Sequence, residues 1–206
     1  GNWCTWMFGR DLVNWNNNFT WAKWVTPSRD LISAFKQEGD EVRFKESIVY
    51  YDCNWSNYYP SDNYPFMYKC RSANSSIIKY RYADVLLLKA EALIMQDTPD
   101  LEGAADIIDE VRDRAKLGAL PTSVRSNKNV LLNALLKERR LELAFEGQRW
   151  FDLVRLDKVE EVMNAVYAKD SGRKAQIYTF DKNSYRLPIP QSVIDANDKI
   201  HQNPGY

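Results

Sequence analysis

The second half of the chain carries the spacing of apolar residues that is typical of amphipathic helices. From Ile77 to Gln96 an apolar residue recurs on nearly every turn. A second helix is predicted after this one, with Thr98 as its N-cap and Pro99 as its first residue. Its apolar residues alternate at intervals of three and four and so form one stripe: Leu101, Ala104, Ile108, Val111 and Ala115. These two segments predict an antiparallel helical hairpin, whose second helix ends at Gly118.

Three more helices are predicted towards the end of the chain, over about 129–145, 148–156 and 158–167. Gly147 ends the first of them. The segment from Tyr185 to Pro190 should be extended, because Pro188 and Pro190 exclude both a helix and a central strand. A hairpin followed by further antiparallel helices indicates a mainly α fold built from tetratricopeptide-like hairpins, although no clean repeat of about 34 residues is present.

The first part of the chain has a different character. Residues 1–82 hold 19 of the 27 aromatic residues and six of the seven tryptophans. Residues 1–24 have no period and are predicted to be loop, and a short helix capped by Thr26 should run to Gly39. A strand is expected over 44–51 and a long ordered loop over 52–76. We therefore expect an aromatic loop region (1–76) and a helical region (77–206) within one structural domain that belongs to a longer protein.

Composition excludes several classes of function. Lys and Arg number 28, as do Asp and Glu, so the zero net charge gives no basic surface for nucleic acid. The longest aliphatic run is Val85–Leu88, whereas a membrane-spanning helix needs about 20 apolar residues. His201 is the single histidine, the three cysteines lack metal-ligand spacing, and no glycine-rich phosphate motif is present. We therefore expect no metal site, no cofactor and no histidine-dependent nucleophile.

Three carboxylates occupy one face of a predicted helix. Glu138, Glu142 and Glu146 share this face and Asp152 follows, an arrangement that a glycosidase could use. Arginines are interleaved with them, however, and adjacent guanidinium groups lower the pKa of a carboxyl group, which is the wrong direction for a general acid. The interleaved residues are Arg139, Arg140, Arg149 and Arg155. We therefore favour an ion-pair network that joins one helix to the next.

The aromatic loops suit a sugar better than any other ligand considered. Trp and Tyr rings stack on the CH face of a sugar, while Asn side chains bond to its hydroxyl groups. The candidate ligand-binding residues are Trp3, Trp6, Trp21, Trp24, Trp55, Tyr58 and Tyr59 for stacking, and Asn16, Asn17, Asn54 and Asn57 for hydrogen bonding. The alternative is that these rings form a core beneath the loops.

Five stretches together resemble the RagB/SusD family of outer-membrane nutrient-binding lipoproteins. They are Arg81–Ala92, Val111–Ala115, Glu138–Arg155, Leu187–Pro190 and Gln202–Tyr206. The resemblance implies a helical scaffold with irregular ligand-binding loops. It also implies a non-enzymatic protein, lipid-anchored at the cell surface in its full length, that passes glycan to a SusC-like TonB-dependent transporter. No fixed family motif marks the glycan site, so the site residues above rest on composition.

Two other functions remain open at this point. One is a helical protein-interaction module whose grooves bind a partner chain and which has no sugar site of its own. The other is a glycosidase, which would need two carboxyl groups facing a cleft.

Overall fold

The computed structural model describes residues 26–54, 56–69, 78–169 and 179–206. The chain divides into two compact units, residues 1–149 and 150–206. Within the described residues helices predominate, as the sequence predicts, and none of these helices is long and apolar enough to cross a bilayer.

The described part of the first unit begins with two short helices. Helix α1 (Arg29–Glu38) is capped by Ser28, whose Oγ accepts a hydrogen bond from the Leu31 backbone at 3.1 Å. The predicted cap at Thr26 is therefore wrong by two residues, whereas the end at Gly39 is confirmed by its left-handed φ of 70°. Helix α2 (Glu41–Ser47) follows with Asp40 as its N-cap.

A two-stranded antiparallel hairpin follows α2. Strand β1 (Ile48–Tyr51) pairs with β2 (Tyr64–Met67), with Ile48 opposite Met67 and Tyr51 opposite Tyr64. The predicted strand over 44–51 is therefore half helix, and the predicted loop over 52–76 contains β2. Every residue of β2 is buried, so the strand lacks the polar-apolar alternation by which a half-buried strand is recognised.

A helical hairpin forms the main hydrophobic core. Helices α3 (Tyr82–Met95) and α4 (Leu101–Arg114) pack through fully buried small and aliphatic residues, which include Leu87, Ala90, Ile94, Ala104, Ala105 and Ile108. Small residues at these positions let the two backbones approach closely, and the predicted hairpin is confirmed. The predicted caps are wrong: Asp100 accepts from Gly103 N at 2.9 Å in place of Thr98, and α4 ends at Arg114 with Ala115, not Gly118, as its C-cap.

Two further helices complete the described part of this unit. The short α5 (Thr122–Arg125), which the sequence pattern does not predict, leads to α6 (Lys128–Glu142). Leu131 and Leu135 of α6 pack into the α3–α4 core. Helix α6 is shorter than predicted and ends at Glu142. Beyond it, Phe145 and Gly147 have positive φ values of 66° and 81°, which are incompatible with a continued right-handed helix.

The second unit is helical and carries the end of the chain. Helix α7 (Arg149–Arg155) leads into it and is followed by α8 (Val159–Lys169), a short 3₁₀ helix (Lys182–Tyr185) and α9 (Gln191–Asp195). The predicted helices over 148–156 and 158–167 are confirmed to within two residues.

The extended segment predicted from Tyr185 to Pro190 is confirmed for residues 186–190, whereas Tyr185 belongs to the 3₁₀ helix. The side-chain amide of Gln202 bonds to both backbone groups of Ile189, at 2.8 and 3.0 Å, and Asn203 donates to the Leu187 carbonyl at 2.7 Å. We call this set of bonds the tail clasp.

Buried ion pairs join α6 to the other elements of the first unit. Glu138 accepts from Arg43 at 2.6 Å and from Arg112 at 3.3 Å. Glu142 pairs with Arg43 at 3.1 Å and also with Arg81 and Arg114, and Glu146 pairs with Lys69 and Arg81. The three carboxylates are almost fully buried. We call them, with their five basic partners, the α6 network.

The predicted network is confirmed, but its partners differ from those expected. Three of the four arginines interleaved with the carboxylates in the sequence have other partners: Arg139 pairs with Asp84 at 2.8 Å, Arg140 pairs with Asp30 at 2.6 Å, and Arg149 donates to the Leu136 carbonyl at 3.0 Å. The fourth, Arg155, pairs with the predicted carboxylate Asp152 at 2.8 Å. Adjacent residues of a helix lie about 100° apart, so an arginine next to a buried glutamate faces a different neighbour. The basic partners instead come from α2, α4 and the segments next to β2 and α3.

Opposing effects set the pKa of Glu142, the central carboxylate of the α6 network, which has three basic partners. Burial by itself raises the pKa of Glu142, but the bonds and charges of Arg81, Arg114 and Arg43 outweigh it and hold the pKa below its usual value. The folded state therefore binds a proton at Glu142 less readily than the unfolded chain does. This contribution to stability is present above the unfolded pKa and is lost as the pH falls through the folded pKa.

Removing the central charge should destabilise the first unit strongly. Glu142→Gln leaves the buried Arg43 and the largely buried Arg81 short of a counter-charge, so the free energy of unfolding should fall by about 3 kcal/mol in denaturant titrations. The control is Glu161→Gln, which breaks an exposed pair with Lys158 (2.7 Å) and should change stability by less than about 1 kcal/mol. Equal effects of the two changes would contradict a dominant role for the α6 network.

The difference in stability between the wild type and Glu142→Gln should depend on pH. The stability advantage of the wild type over Glu142→Gln should be largest near neutral pH. It should shrink as the pH falls below about 5, because the unfolded glutamate, with a pKa of about 4.3, takes up its proton first. Unfolding curves at a series of pH values measure this difference, and an advantage that grew with acidity would refute the lowered pKa.

Candidate functional site

Two adjacent tyrosines lie on the loop that connects β1 to β2, residues 52–63, which we call the hairpin loop. The rings of Tyr58 and Tyr59 are perpendicular to each other with centroids 5.0 Å apart. Tyr59 in turn contacts Tyr64 of β2, with centroids 5.5 Å apart. The aromatic residues predicted at 58 and 59 therefore belong to one cluster that the hairpin holds in place.

An arginine from the first turn of α1 covers this cluster. The Arg29 guanidinium lies 3.9 Å from the centroid of the Tyr58 ring and 4.7 Å from that of Tyr59. It also donates a hydrogen bond to the Tyr58 carbonyl oxygen. These contacts fix the loop against α1, since a guanidinium is attracted to the face of an aromatic ring.

The two tyrosines have different surroundings. Tyr59 donates through its hydroxyl to the Pro27 carbonyl at 2.7 Å, and its ring packs against two hydrophobic clusters of the first unit. Tyr59 therefore has the contacts of a core residue. Tyr58 is half-buried, as Tyr59 is, and of these two clusters of described residues it packs against one. Of the two, Tyr58 is better placed to offer ring surface to a ligand.

Polar side chains surround Tyr58 on the same loop. Asn54 and Asn57 are exposed, and neither amide has a partner within the described part of the chain. Ser56 lies between them; its Oγ accepts from the Tyr58 backbone at 3.3 Å and lies 3.0 Å from the Tyr64 hydroxyl. An aromatic ring with amides beside it can contact the CH face and the hydroxyl groups of a sugar at once.

The structure tests only part of the predicted site. Tyr58, Tyr59, Asn54 and Asn57 lie together on the hairpin loop. The other candidates lie outside the described residues, namely Trp3, Trp6, Trp21, Trp24, Trp55, Asn16 and Asn17. Arg29 and Tyr64, which the sequence did not single out, complete the cluster. No local signal marks them, because they reach it from α1 and β2.

The carboxylates considered for glycoside cleavage are committed to other contacts. Burial raises the pKa of Glu138, against the opposing effect of Arg43 and Arg112. A raised pKa suits a general acid, but a general acid must also reach the glycosidic oxygen, and the Glu138 side chain is only 2% exposed. Glu142 and Glu146 are equally enclosed by their basic partners. Over the described residues, no group of three or more acidic, His or Cys side chains could hold a metal ion.

The curated proteins that this chain resembles in sequence are described as SusD-like proteins. SusD-like protein P2 of Formosa agariphila is 36% identical over 143 residues, which cover 66% of this chain and 27% of that protein. The matched segments span about a quarter or less of the curated relatives.

Solved structures match over a larger share of this chain. A SusD homologue from Bacteroides thetaiotaomicron superposes with a TM-score of 0.71 at 23% identity and covers 91% of this chain and 45% of its own. A structure described as a laminarin-binding SusD-like protein has a TM-score of 0.65 at 27% identity, covering all of this chain and 44% of its own. These matches confirm the predicted fold class of tetratricopeptide-like helical hairpins.

A family assignment rests on the sequence match as well as on the fold. The sequence model of the SusD family matches residues 61–206, about 70% of the chain. This range contains all five stretches through which the chain resembles RagB/SusD proteins, together with α3, α4 and the α6 carboxylates. The chain therefore belongs to the SusD family.

Proposed function

We propose that this protein binds a glycan without cleaving it and acts at the surface of a bacterial cell. The observation that carries the proposal is the match to a laminarin-binding member of the family, which covers this chain completely at 27% identity. The exposed amides and the tyrosine on the hairpin loop supply the matching chemistry. The enclosed α6 carboxylates favour binding over hydrolysis.

We place one part of the ligand site at the hairpin loop. Tyr58 would stack on a sugar ring, and Asn54 and Asn57 would bond to its hydroxyl groups. Trp55 belongs to the same loop, and with Trp3, Trp6, Trp21, Trp24, Asn16 and Asn17 it stays a prediction. Such a site would bind weakly and exchange quickly, because stacking and exposed amide bonds each contribute only about 1 kcal/mol.

The proposed site suits a protein that passes its ligand on. A glycan held by surface contacts dissociates fast enough to be transferred, in this proposal to a SusC-like TonB-dependent transporter in the outer membrane. A lipid anchor on the full-length protein would keep the two together. This step extends the family resemblance, and co-purification of the full-length protein with such a transporter would test it.

A second candidate function is supported by one surface. The outer face of α3 exposes Val85, Leu88 and Met95, an apolar stripe of the kind that marks contact with another protein. On this alternative the chain is a helical interaction module without a sugar site. The glycan titration below distinguishes the two functions.

Glycan binding should be visible in the tryptophan fluorescence. The chain has seven tryptophans, and titration with laminarin and a panel of plant and host polysaccharides should give a saturable change with one glycan class. Tyr58→Ala should weaken that binding about tenfold, the loss expected for about 1.4 kcal/mol of stacking. Tyr206→Ala, at an exposed tyrosine far along the chain, is the control and should bind normally. A flat titration with every glycan would refute the proposal.

The two loop tyrosines should separate binding from stability. Tyr59→Ala removes a ring between two clusters and the bond to Pro27, and should lower the unfolding free energy by about 2–3 kcal/mol. Tyr58→Ala should cost about 1 kcal/mol, mainly through the contact with Arg29. Thermal melts alongside the titrations measure both. A larger stability loss for Tyr58→Ala than for Tyr59→Ala would place Tyr58 in the core and remove it from the site.

A further inference from the structure

A groove lies between the start of α3 and the last turns of α4, on residues other than those of the hairpin loop. Its volume is about 290 Å³, just below the range of about 300–1,000 Å³ for small-ligand sites. Ala83, Leu86 and Val111 form its apolar part, and Tyr82, Glu110 and Arg114 lie around it. A groove of this size would hold one small ring and no more.

The aromatic residue at this groove is unusually open to solvent. Tyr82 is 71% exposed although it is the first residue of a helix whose other face forms the main core. An exposed tyrosine beside an apolar depression offers a flat surface to the CH face of a ligand. Tyr80, two residues earlier, is 79% exposed but does not line the groove.

The polar residues supply a donor and an acceptor that are still available. The Arg114 side chain is 61% exposed, and within the described part of the chain it donates only to Glu142. Glu110 lies one turn earlier on α4, is exposed, and has no partner among the described residues. The two could pair with each other at this spacing, but Arg114 turns towards Glu142. Both therefore remain able to bond to hydroxyl groups.

The balance of charge favours a neutral ligand. Arg81 also lines the groove, but its guanidinium already bonds to Glu142 and Glu146. The remaining charges are the cation of Arg114, which Glu142 contacts, and the anion of Glu110. Because Glu142 already neutralises the charge of Arg114, a carboxylated or sulfated sugar would be repelled by Glu110 with no free cation among the described lining residues to attract it. A neutral sugar could bond both to the N–H groups that Arg114 does not use for Glu142 and to the Glu110 oxygens.

From these observations we propose that the groove between α3 and α4 is a second saccharide-binding site that takes one neutral sugar unit. The ring stacks on Tyr82, and its hydroxyl groups bond to Glu110 and Arg114. The inference rests on the proposed function for the class of ligand, but it uses a separate set of residues. A second contact on one chain would raise the avidity for a polysaccharide that reaches both sites.

Titration of the ¹⁵N-labelled chain with glucose, galactose, mannose and xylose tests the site directly. The amide signals of Tyr82 and Glu110 and the Nε–H signal of Arg114 should shift in a saturable way with at least one of these sugars. Tyr82→Ala should weaken that binding about tenfold, and Tyr82→Phe should retain it, because the ring carries the stacking. Tyr80→Ala is the matched control and should bind as the wild type does.

A further variant tests the site independently in case Tyr82→Ala fails to fold. Glu110→Ala changes an exposed side chain without a partner among the described residues, so it should fold normally and still weaken binding. The inference is overturned if none of the four sugars shifts the groove signals, or if Tyr80→Ala weakens binding as much as Tyr82→Ala. The amide signals of Asn54 and Asn57 report on the hairpin loop in the same spectra, so failure of the groove is distinguishable from failure of the proposed function.

Discussion

The buried carboxylates at the end of α6 and in the turn that follows it are the constraint on which the rest of the first unit depends. Three acidic side chains that are removed from water would each cost several kcal/mol, and only close basic partners can offset that cost. The partners come from α2, from α4, from the entry to α3 and from the residue that follows the second strand by two positions. One short stretch, from Glu138 in the last turns of α6 to Glu146 just beyond it, therefore fixes four other elements. Since each charge needs its counter-charge, these elements cannot shift independently.

This constraint also positions the candidate site. Lys69, just after β2, pairs with Glu146 and donates to the Glu142 carbonyl at 2.8 Å, while Arg43 comes from the helix just before β1. Both ends of the β-hairpin are thus attached to α6, and the hairpin loop projects from a rigid base. A loop held in this way can carry ligand contacts whose residues vary without loss of the scaffold.

The sequence predicts best those features that depend on the local spacing of apolar residues. The stripe from Leu101 to Ala115 is enough to locate α4, because packing against α3 requires one continuous apolar face. The caps are less predictable, since Thr98 and Asp100 are both good N-caps and only the tertiary path of the chain decides between them. Strand β2 escapes detection because it is short and buried on both faces. The partners of Glu142 and the contact of Arg29 with Tyr58 depend on residues distant in sequence, which no local pattern reports.

The tail clasp shows that the stretches through which the chain resembles its family are joined in the structure. Gln202 and Asn203 bond to the backbone of residues 187–189, so two of the five stretches that carry the resemblance are the two sides of one contact. The stretches that contain Arg81, Arg112 and Glu138–Glu146 are likewise joined by the α6 network. Five stretches that are separate in the sequence thus meet in two sets of contacts in the structure. A chain that kept the carboxylates at 138, 142 and 146 but lost their basic partners would retain a motif match without the contacts that hold this structure together.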